Sequence, residues 1–274
     1  MNKETKLVRK LYSSSAKDEW KRLIKDPYHR LEFETTLNFL KKYLPSKGLV
    51  LDAGGGPGRY TIELAKLGYD VVLVDLVKEN LEIAKRQIKK CRISKRVKEI
   101  IVGSITDLSR FKDNSFDAVL CLGGPLSHVF PESQRKKAVL ELVRVAKSKS
   151  PIFVSVMSKY GVLLSTPGGW PQEVVYKTHY ENLVFKGEDY KFRGYSYCHY
   201  FTLSELKSFF SDKNVEILET IGLEGLNVDK RTTNRFAKKF PKAWKNWLEI
   251  HNKICTEPFV VEASGHMMIV ARKR

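Results

Sequence analysis

The chain has 274 residues, of which 49 are Lys or Arg and 31 Asp or Glu, giving a formal charge of +18, and 42% are apolar. That apolar share supports a packed core and argues against disorder, and no apolar run is long enough to span a bilayer. The N-terminal stretch MNKETKLVRKLYSSSAKDEW lacks a signal-peptide core, so a cytoplasmic protein is expected, and Cys91, Cys121, Cys198 and Cys255 show no C-x-x-C spacing, so neither a metal site nor a redox motif is expected.

In chain order, Ser15 and Asp18 make a capping-box pattern, and Trp20, Leu23 and Ile24 follow at helical spacing, which predicts a helix beginning near Ser15. Pro27 interrupts it. A second helical pattern covers 28–43 and ends at Pro45 and Gly48. From Gly48 the rhythm changes. GLVLDA (48–53) reads as a strand, 59–67 as a helix stopping at Gly68, DVVLVD (70–75) as a strand and 78–91 as a helix. VKEIIVG (97–103), FDAVLCL (116–122) and PIFVSVM (151–157) read as three further strands, with a helix over 132–146. Strands alternating with helices imply right-handed crossovers and a mostly parallel sheet. The strands are apolar on both faces, as a sheet covered by helices on each side requires.

After 157 the alternation breaks. Residues 159–200 hold strand-like pieces, ENLVF and YKFRGYSYCHYF. LSELKSFFSDKN then reads as a helix and VEILETIGLEGL as a strand. Residues 227–262 form a second interruption, mostly helical, before a last strand in HMMIVARKR. Seven basic residues and no acid fall within 230–245. They read first as a solvated helix face and second as a contact for polyanions.

The stretch with the most to say is VLDAGGGPGRY (50–60). Glycine loses the most backbone entropy on folding, so a cluster of four needs a reason. This one leaves a strand and opens a helix, where backbone N–H groups and the helix dipole favour an anionic ligand group. The nicotinamide fingerprint G-x-G-x-x-G fails, since Arg59 or Thr61 stands where its third glycine belongs. No Gly-Lys-Ser/Thr follows, so the phosphate-loop pattern fails as well. The stretch fits acid-x-G-x-G-x-G, as Asp52, Gly54, Gly56 and Gly58. A second acid, Asp75, ends the next strand, where a carboxylate can accept from ribose hydroxyls.

On these residues the chain resembles the class I S-adenosylmethionine-dependent methyltransferases. The resemblance runs motif by motif over 48–158 and by strand order beyond. It implies an α/β, Rossmann-like, mostly parallel seven-stranded sheet with helices on both faces. The N-terminal helical arm would cover 1–47. The methyltransferase domain would cover 48–274, with cap insertions at 159–200 and 227–262. It implies S-adenosylmethionine as cofactor and S-adenosylhomocysteine as product. The glycine loop and Asp52 would hold the cofactor, with Asp75 and Leu76 at the ribose. Ser104 and Ile105 would line the adenine pocket; Ser104 stands where the family often has an acid, and Asp107 follows three residues on. Leu122 and Gly123 would meet the amino-acid end.

A sulfonium methyl is already activated, so transfer needs alignment and exclusion of water more than a catalytic triad. His128, after the fourth strand, is the candidate base; its plainer role is to support neighbouring groups. Tyr28, Tyr195, Tyr197 and His199 are candidate acceptor-site residues, the last three on one face if 195–199 is a strand. No Asn-Pro-Pro-Tyr or Asp-Pro-Pro-Tyr segment follows the fourth strand, and Cys121 lacks a preceding proline, so the common base-amine and C5-pyrimidine patterns are absent. A small-molecule acceptor, methylated at N, O or C, is the first reading, and RNA bound on the basic surface the second. A nicotinamide oxidoreductase and a non-catalytic cofactor-binding or nucleic-acid-binding module stay open.

Overall fold

Short aliphatic runs flanked by turns form the sheet in this computed structural model, which describes residues 3–189, 197–211, 214–226 and 229–274. β1 (Leu49–Ala53), β2 (Asp70–Asp75), β3 (Val97–Val102), β4 (Ala118–Cys121) and β5 (Pro151–Met157) run parallel to one another. A two-residue ladder, β6 (Glu188–Asp189) with β7 (Cys198–His199), stands apart from them. β8 (Val215–Gly222) and β9 (His266–Lys273) complete a seven-stranded sheet in the order β3-β2-β1-β4-β5-β9-β8. Only β9 is reversed, antiparallel to β5 on one side and β8 on the other.

The helices are α1 (Lys3–Arg22), α2 (Pro27–Tyr43), α3 (Arg59–Lys66), α4 (Lys78–Lys90), α5 (Glu132–Val145), α6 (Lys159–Gly169), α7 (Lys177–Glu181), α8 (Leu203–Ser211), α9 (Lys230–Lys239), α10 (Pro241–Ile254) and α11 (Pro258–Ala263). Strand side chains alternate between two buried faces. Leu51, Val72, Val119, Val154 and Ile269 pack with Ala138 and Leu142 of α5 and Leu206 and Phe210 of α8. Val50, Val71, Leu120, Phe153 and Val270 pack with Phe39 and Leu40 of α2 and Tyr60 and Leu64 of α3. Each such side chain contributes about 1.5–3 kcal/mol on burial, so α2 is held to the sheet as firmly as the helices between strands. No helix among the described residues is long and apolar enough to cross a membrane.

Two sequence expectations are corrected. α1 does not begin near Ser15 but runs unbroken from Lys3 to Arg22. The hydroxyls of Ser14 and Ser15 donate back to the Leu11 carbonyl, at 2.7 and 3.1 Å, instead of capping a new helix. ENLVF is not a strand. Residues Asn182–Lys186 continue α7 as a wide helical turn that ends at Gly187, φ +70°. A short apolar run looks alike in a strand and in a buried helical turn. The described residues 159–181 are also mainly helical, with α6, a 3-10 turn at Pro171–Val175 and α7.

α1 lies across α4. Trp20 stacks on the Arg59 guanidinium, 3.6 Å from its ring centre, and Arg59 donates to the Trp20 carbonyl. The first turn of α3 is thereby tied to the N-terminal helix, above the carboxyl ends of β1 and β4.

Candidate functional site

The loop after β1 is held from below. Gly54 and Gly55 donate their N–H groups to the Val74 carbonyl, at 2.7 and 3.2 Å. Gly54, Gly56 and Gly58 all lie in the left-handed region, at φ +76°, +56° and +79°. A Cβ on Gly54 would come within 2.6 Å of Pro125, while one on Gly56 would meet only Asn80 Nδ2, at 3.9 Å. Gly54 is thus a packing requirement, and Gly56 bares its backbone to open space.

That space is a cleft of about 660 Å³, within the usual size of small-ligand sites. Of the residues the sequence singled out, Gly54, Gly56, Asp75, Leu76, Ser104, Ile105, Leu122, Gly123 and His128 line it. The sheet carries them there from the ends of β1, β2, β3 and β4, at the edge where open α/β sheets bind ligands.

Asp75 is buried, and burial raises its pKa, opposed by its hydrogen bonds. Its Oδ2 accepts from Gly56 N–H at 2.8 Å; its Oδ1 accepts from Val77 N–H at 2.9 Å and Asn80 Nδ2 at 3.3 Å. Oδ1 is therefore occupied, and Oδ2 is the oxygen with room for a ligand hydroxyl. Beside it, Asn80 Oδ1 is buried without a protein partner. An orphaned buried acceptor is costly, on the order of 1–3 kcal/mol. Asp75 Oδ2 thus suits a ligand hydroxyl, while Asn80 serves to orient the carboxylate. Ser104 bonds the Thr106 hydroxyl, 2.8 Å, and with Ile105 forms one wall. Asp107 lies near the rim with its carboxylate on Ser109 N–H, 3.2 Å.

Other sequence candidates lie elsewhere. Asp52 is fully buried beneath the loop and does not line the cleft. Its Oδ2 accepts from Thr61 N–H and hydroxyl, at 3.1 and 2.6 Å, pinning the start of α3, and burial pushes its pKa up to about 6. Gly58 is the N-cap of α3 and packs against Ala84. Tyr28 is turned away from the cleft, its N–H on Asn234 and its hydroxyl near Gly265. Tyr197 and His199 are corrected as acceptor-facing groups, because both side chains are buried on other partners. The Tyr197 hydroxyl accepts from Arg135 at 2.6 Å, and His199 Nε2 lies 2.6 Å from Glu205. Tyr195 lies outside the described residues.

What the sequence reading missed comes from α1. Tyr12, Glu19 and Arg22 line the cleft, and Arg22 reaches within 3.2 Å of where a Cβ on Gly123 would stand. Burial works against the Arg22 charge, but Glu32 and Glu19 hold it, at 2.5 and 3.2 Å. Glu32 in turn faces His266, 3.9 Å away, and His266 lies 2.6 Å from Glu224. Burial opposes the imidazolium, yet the two carboxylates push the His266 pKa up to about 9. Glu32, Glu224 and His266 offer atoms within 4.8 Å of one another, as a cation site would. Both oxygens of Glu32, however, already accept from Arg22. Tyr12 meets His128: the phenol oxygen lies 2.7 Å from Nε2. Burial lowers the His128 pKa, which favours the neutral ring. No local signal ties residue 12 to residue 128; Asn80, one helical turn past Asp75, was the more findable omission.

Residues 50–149 match a family model described as a methyltransferase domain. A glycine/sarcosine N-methyltransferase of Parasynechococcus marenigrum is 32% identical over 147 residues, 53% of this chain and 50% of that enzyme. The chain spans about half the length, or less, of the glycine/sarcosine relatives it matches. Among solved structures, an S-adenosylmethionine-dependent methyltransferase of Methanosarcina mazei superposes with a TM-score of 0.57 at 20% identity, over 86% of this chain and 96% of that one. The 1,6-didemethyltoxoflavin-N1-methyltransferase of Burkholderia thailandensis, solved with its acceptor and S-adenosylhomocysteine, gives 0.59 at 17% identity over 97% and 87%. At such identities the structural likeness speaks for the fold.

Proposed function

From the methyltransferase-domain match over residues 50–149, we propose that the chain is a class I S-adenosylmethionine-dependent methyltransferase and that it methylates a nitrogen of a small amine. The observation that carries this reading is the opening at Gly56, whose bare backbone faces the cleft between Asp75 and Asn80. The residues present fit the cofactor. Asp75 Oδ2 would take a ribose hydroxyl, with Leu76, Ser104 and Ile105 beside the adenine. Gly54, Gly56, Leu122 and Gly123 would border the amino-acid end, where Glu19 and Arg22 supply opposite charges for a zwitterion. When bound, S-adenosylmethionine supplies a methyl group on a positive sulfur that leaves as a neutral thioether. The chain's own work is to hold the acceptor in line with that bond and to shut out water. α1 serves both ends, since its residues wall the cleft over the glycine loop.

A small acceptor is favoured over RNA by where the charge lies. Among the described residues, none of the basic run 230–245 lines the cleft; it belongs to α9 and α10, and α9 packs against α2. The cleft itself mixes Arg22, Arg59 and Lys137 with Glu19, Asp75 and Asp107. Nitrogen is preferred over O or C as the atom methylated because the glycine/sarcosine relatives are N-methyltransferases by name. The test is transfer of radiolabelled methyl from S-adenosylmethionine to a panel of amines and amino acids, glycine and sarcosine first, with bulk RNA as a parallel acceptor. Label appearing on a small amine supports the reading. Tight cofactor binding with no label on any amine would favour a non-catalytic module, and label on RNA alone would overturn the small-acceptor assignment.

A further inference from the structure

We propose that Tyr12 and His128 form the proton-accepting pair of the acceptor site, with the Tyr12 oxygen touching the acceptor nitrogen and His128 acting through it. The inference rests on the methyl-transfer reading above and adds residues and a proton path to it.

The hydrogen bonds fix the chemistry of the ring. His128 Nδ1 lies 2.9 Å from the Tyr197 carbonyl oxygen. A carbonyl can only accept, so Nδ1 carries the hydrogen. Nε2 is then the bare nitrogen, and the Tyr12 hydroxyl, 2.7 Å away, must donate to it. The rings meet edge to face, at 5.2 Å and 74°, so both are held in place. The second insertion-derived contact explains Tyr197: its side chain is anchored to Arg135, while its backbone sets the histidine tautomer. His128 is consequently not free to touch a ligand with Nε2. The element of the pair left for a ligand is the phenol oxygen: Tyr12 lines the cleft, and its lone pairs accept no hydrogen bond from the described residues.

The pair also stands where the reaction would occur. His128 ends the turn Pro125–His128, which begins directly after Gly123 and Gly124. Tyr12 lies on α1, the helix whose Arg22 reaches over Gly123. Both side chains line the cleft.

The step balances as follows. The acceptor nitrogen's lone pair forms the N–C bond as the C–S bond breaks, and the sulfur keeps that electron pair. The nitrogen's N–H proton passes to the Tyr12 oxygen while the phenol's own proton passes to His128 Nε2. The products are a methylated neutral amine, a thioether, a neutral phenol and an imidazolium, which returns its proton to solvent once the cleft opens. Tyr12 never becomes a phenolate, which suits a phenol whose pKa burial raises. Positioned proton transfer of this kind is worth about 10²–10⁴-fold in rate.

The experiment follows turnover of labelled S-adenosylmethionine with glycine, sarcosine and ethylamine in Tyr12→Phe, His128→Asn and the double variant, alongside calorimetric binding of S-adenosylhomocysteine. The expected result is a loss in kcat of about 100-fold or more in each single variant, with cofactor affinity within threefold of wild type. The double variant should be no slower than the worse single one, because the two side chains act as a unit. In the folded wild type, nitrogen-detected NMR should show His128 as the Nδ1–H tautomer. A folded Tyr12→Phe protein with kcat within threefold of wild type overturns the pair alone, as does a double variant whose losses multiply. A wild-type protein that methylates no amine overturns the pair and the N-methyltransferase reading together.

Discussion

Replacing Asp75 with alanine should cost most of the cofactor affinity. The carboxylate accepts from Gly56 N–H, Val77 N–H and Asn80, and its Oδ2 retains room for one ribose hydroxyl. A hydrogen bond to a charged group is worth about 1.5–3 kcal/mol, which converts to a loss of about 10- to 150-fold in affinity. The figure should fall toward the upper end, because Asp75 also anchors Gly56, the residue that bares its backbone to the ligand. Stability should change less than affinity. The substitution strands three donors, but it also removes a carboxylate whose burial is costly enough to raise its pKa. Isothermal titration of S-adenosylhomocysteine into the wild type and Asp75→Ala, with a thermal melt to confirm folding, makes the measurement. A folded variant that binds within twofold of wild type would refute the assignment of this cleft to the ribose.

Gly56→Val should abolish detectable binding, since a β-branched residue at φ +56° is strained by about 1–3 kcal/mol and its side chain would enter the cleft beside Asn80; titration checks it, and retained affinity would mean the ligand lies elsewhere. Asn80→Leu should weaken S-adenosylhomocysteine about fivefold, because it removes the hydrogen bond that helps to orient Asp75, and titration checks it. The His266 pKa is raised to about 9, above its unfolded value, so its contribution to stability is full below about 6.5 and is lost as pH rises through about 9. Glu32 has the opposite sign: its pKa is held down to about 2, chiefly by Arg22 against burial, so its contribution is present above about 4.5 and lost as pH falls through about 2. Melting temperatures between pH 6 and pH 9.5 should therefore fall more steeply in the wild type than in His266→Gln, and equal slopes would remove this cluster from the account.

The proposed cofactor end of the cleft, which gathers Gly54, Gly56 and Asp75, was legible in the sequence because its determinants are local. A glycine pattern and an acid at a strand end lie within one βαβ unit, and the strands declare themselves by runs such as DVVLVD. Asp52 shows the limit of that reading. It belongs to the motif, yet it works beneath the loop, since the bond to Thr61 leaves it behind the glycines. The acceptor end was mostly illegible because it is assembled from distant segments. Tyr12 and His128 are 116 positions apart, and Glu32 meets Arg22 and His266 only when α2 lies against the ends of β8 and β9. The serine-rich stretch 13–15 looked like a helix boundary, and that misreading hid Tyr12, the α1 residue bonded to His128. Period-two spacing in YSYCHY suggested a strand with Tyr195, Tyr197 and His199 on one face; among the described residues β7 covers only Cys198 and His199, and the Tyr197 and His199 side chains are spent on Arg135 and Glu205.

The reversed strand has a consequence for how the chain is made. Among the described strands β9 comes last in chain order, and it lies between β5 and β8, so β8 has no neighbour in the described sheet until β9 arrives. During synthesis the glycine loop, Asp75 and the first five strands can associate early, while 203–222 must wait, its apolar edge open to wrong partners. A chain truncated before His266 should therefore keep the first five strands together but leave β8 open to chaperones or proteases, and supplying β9 closes one strand between two waiting edges.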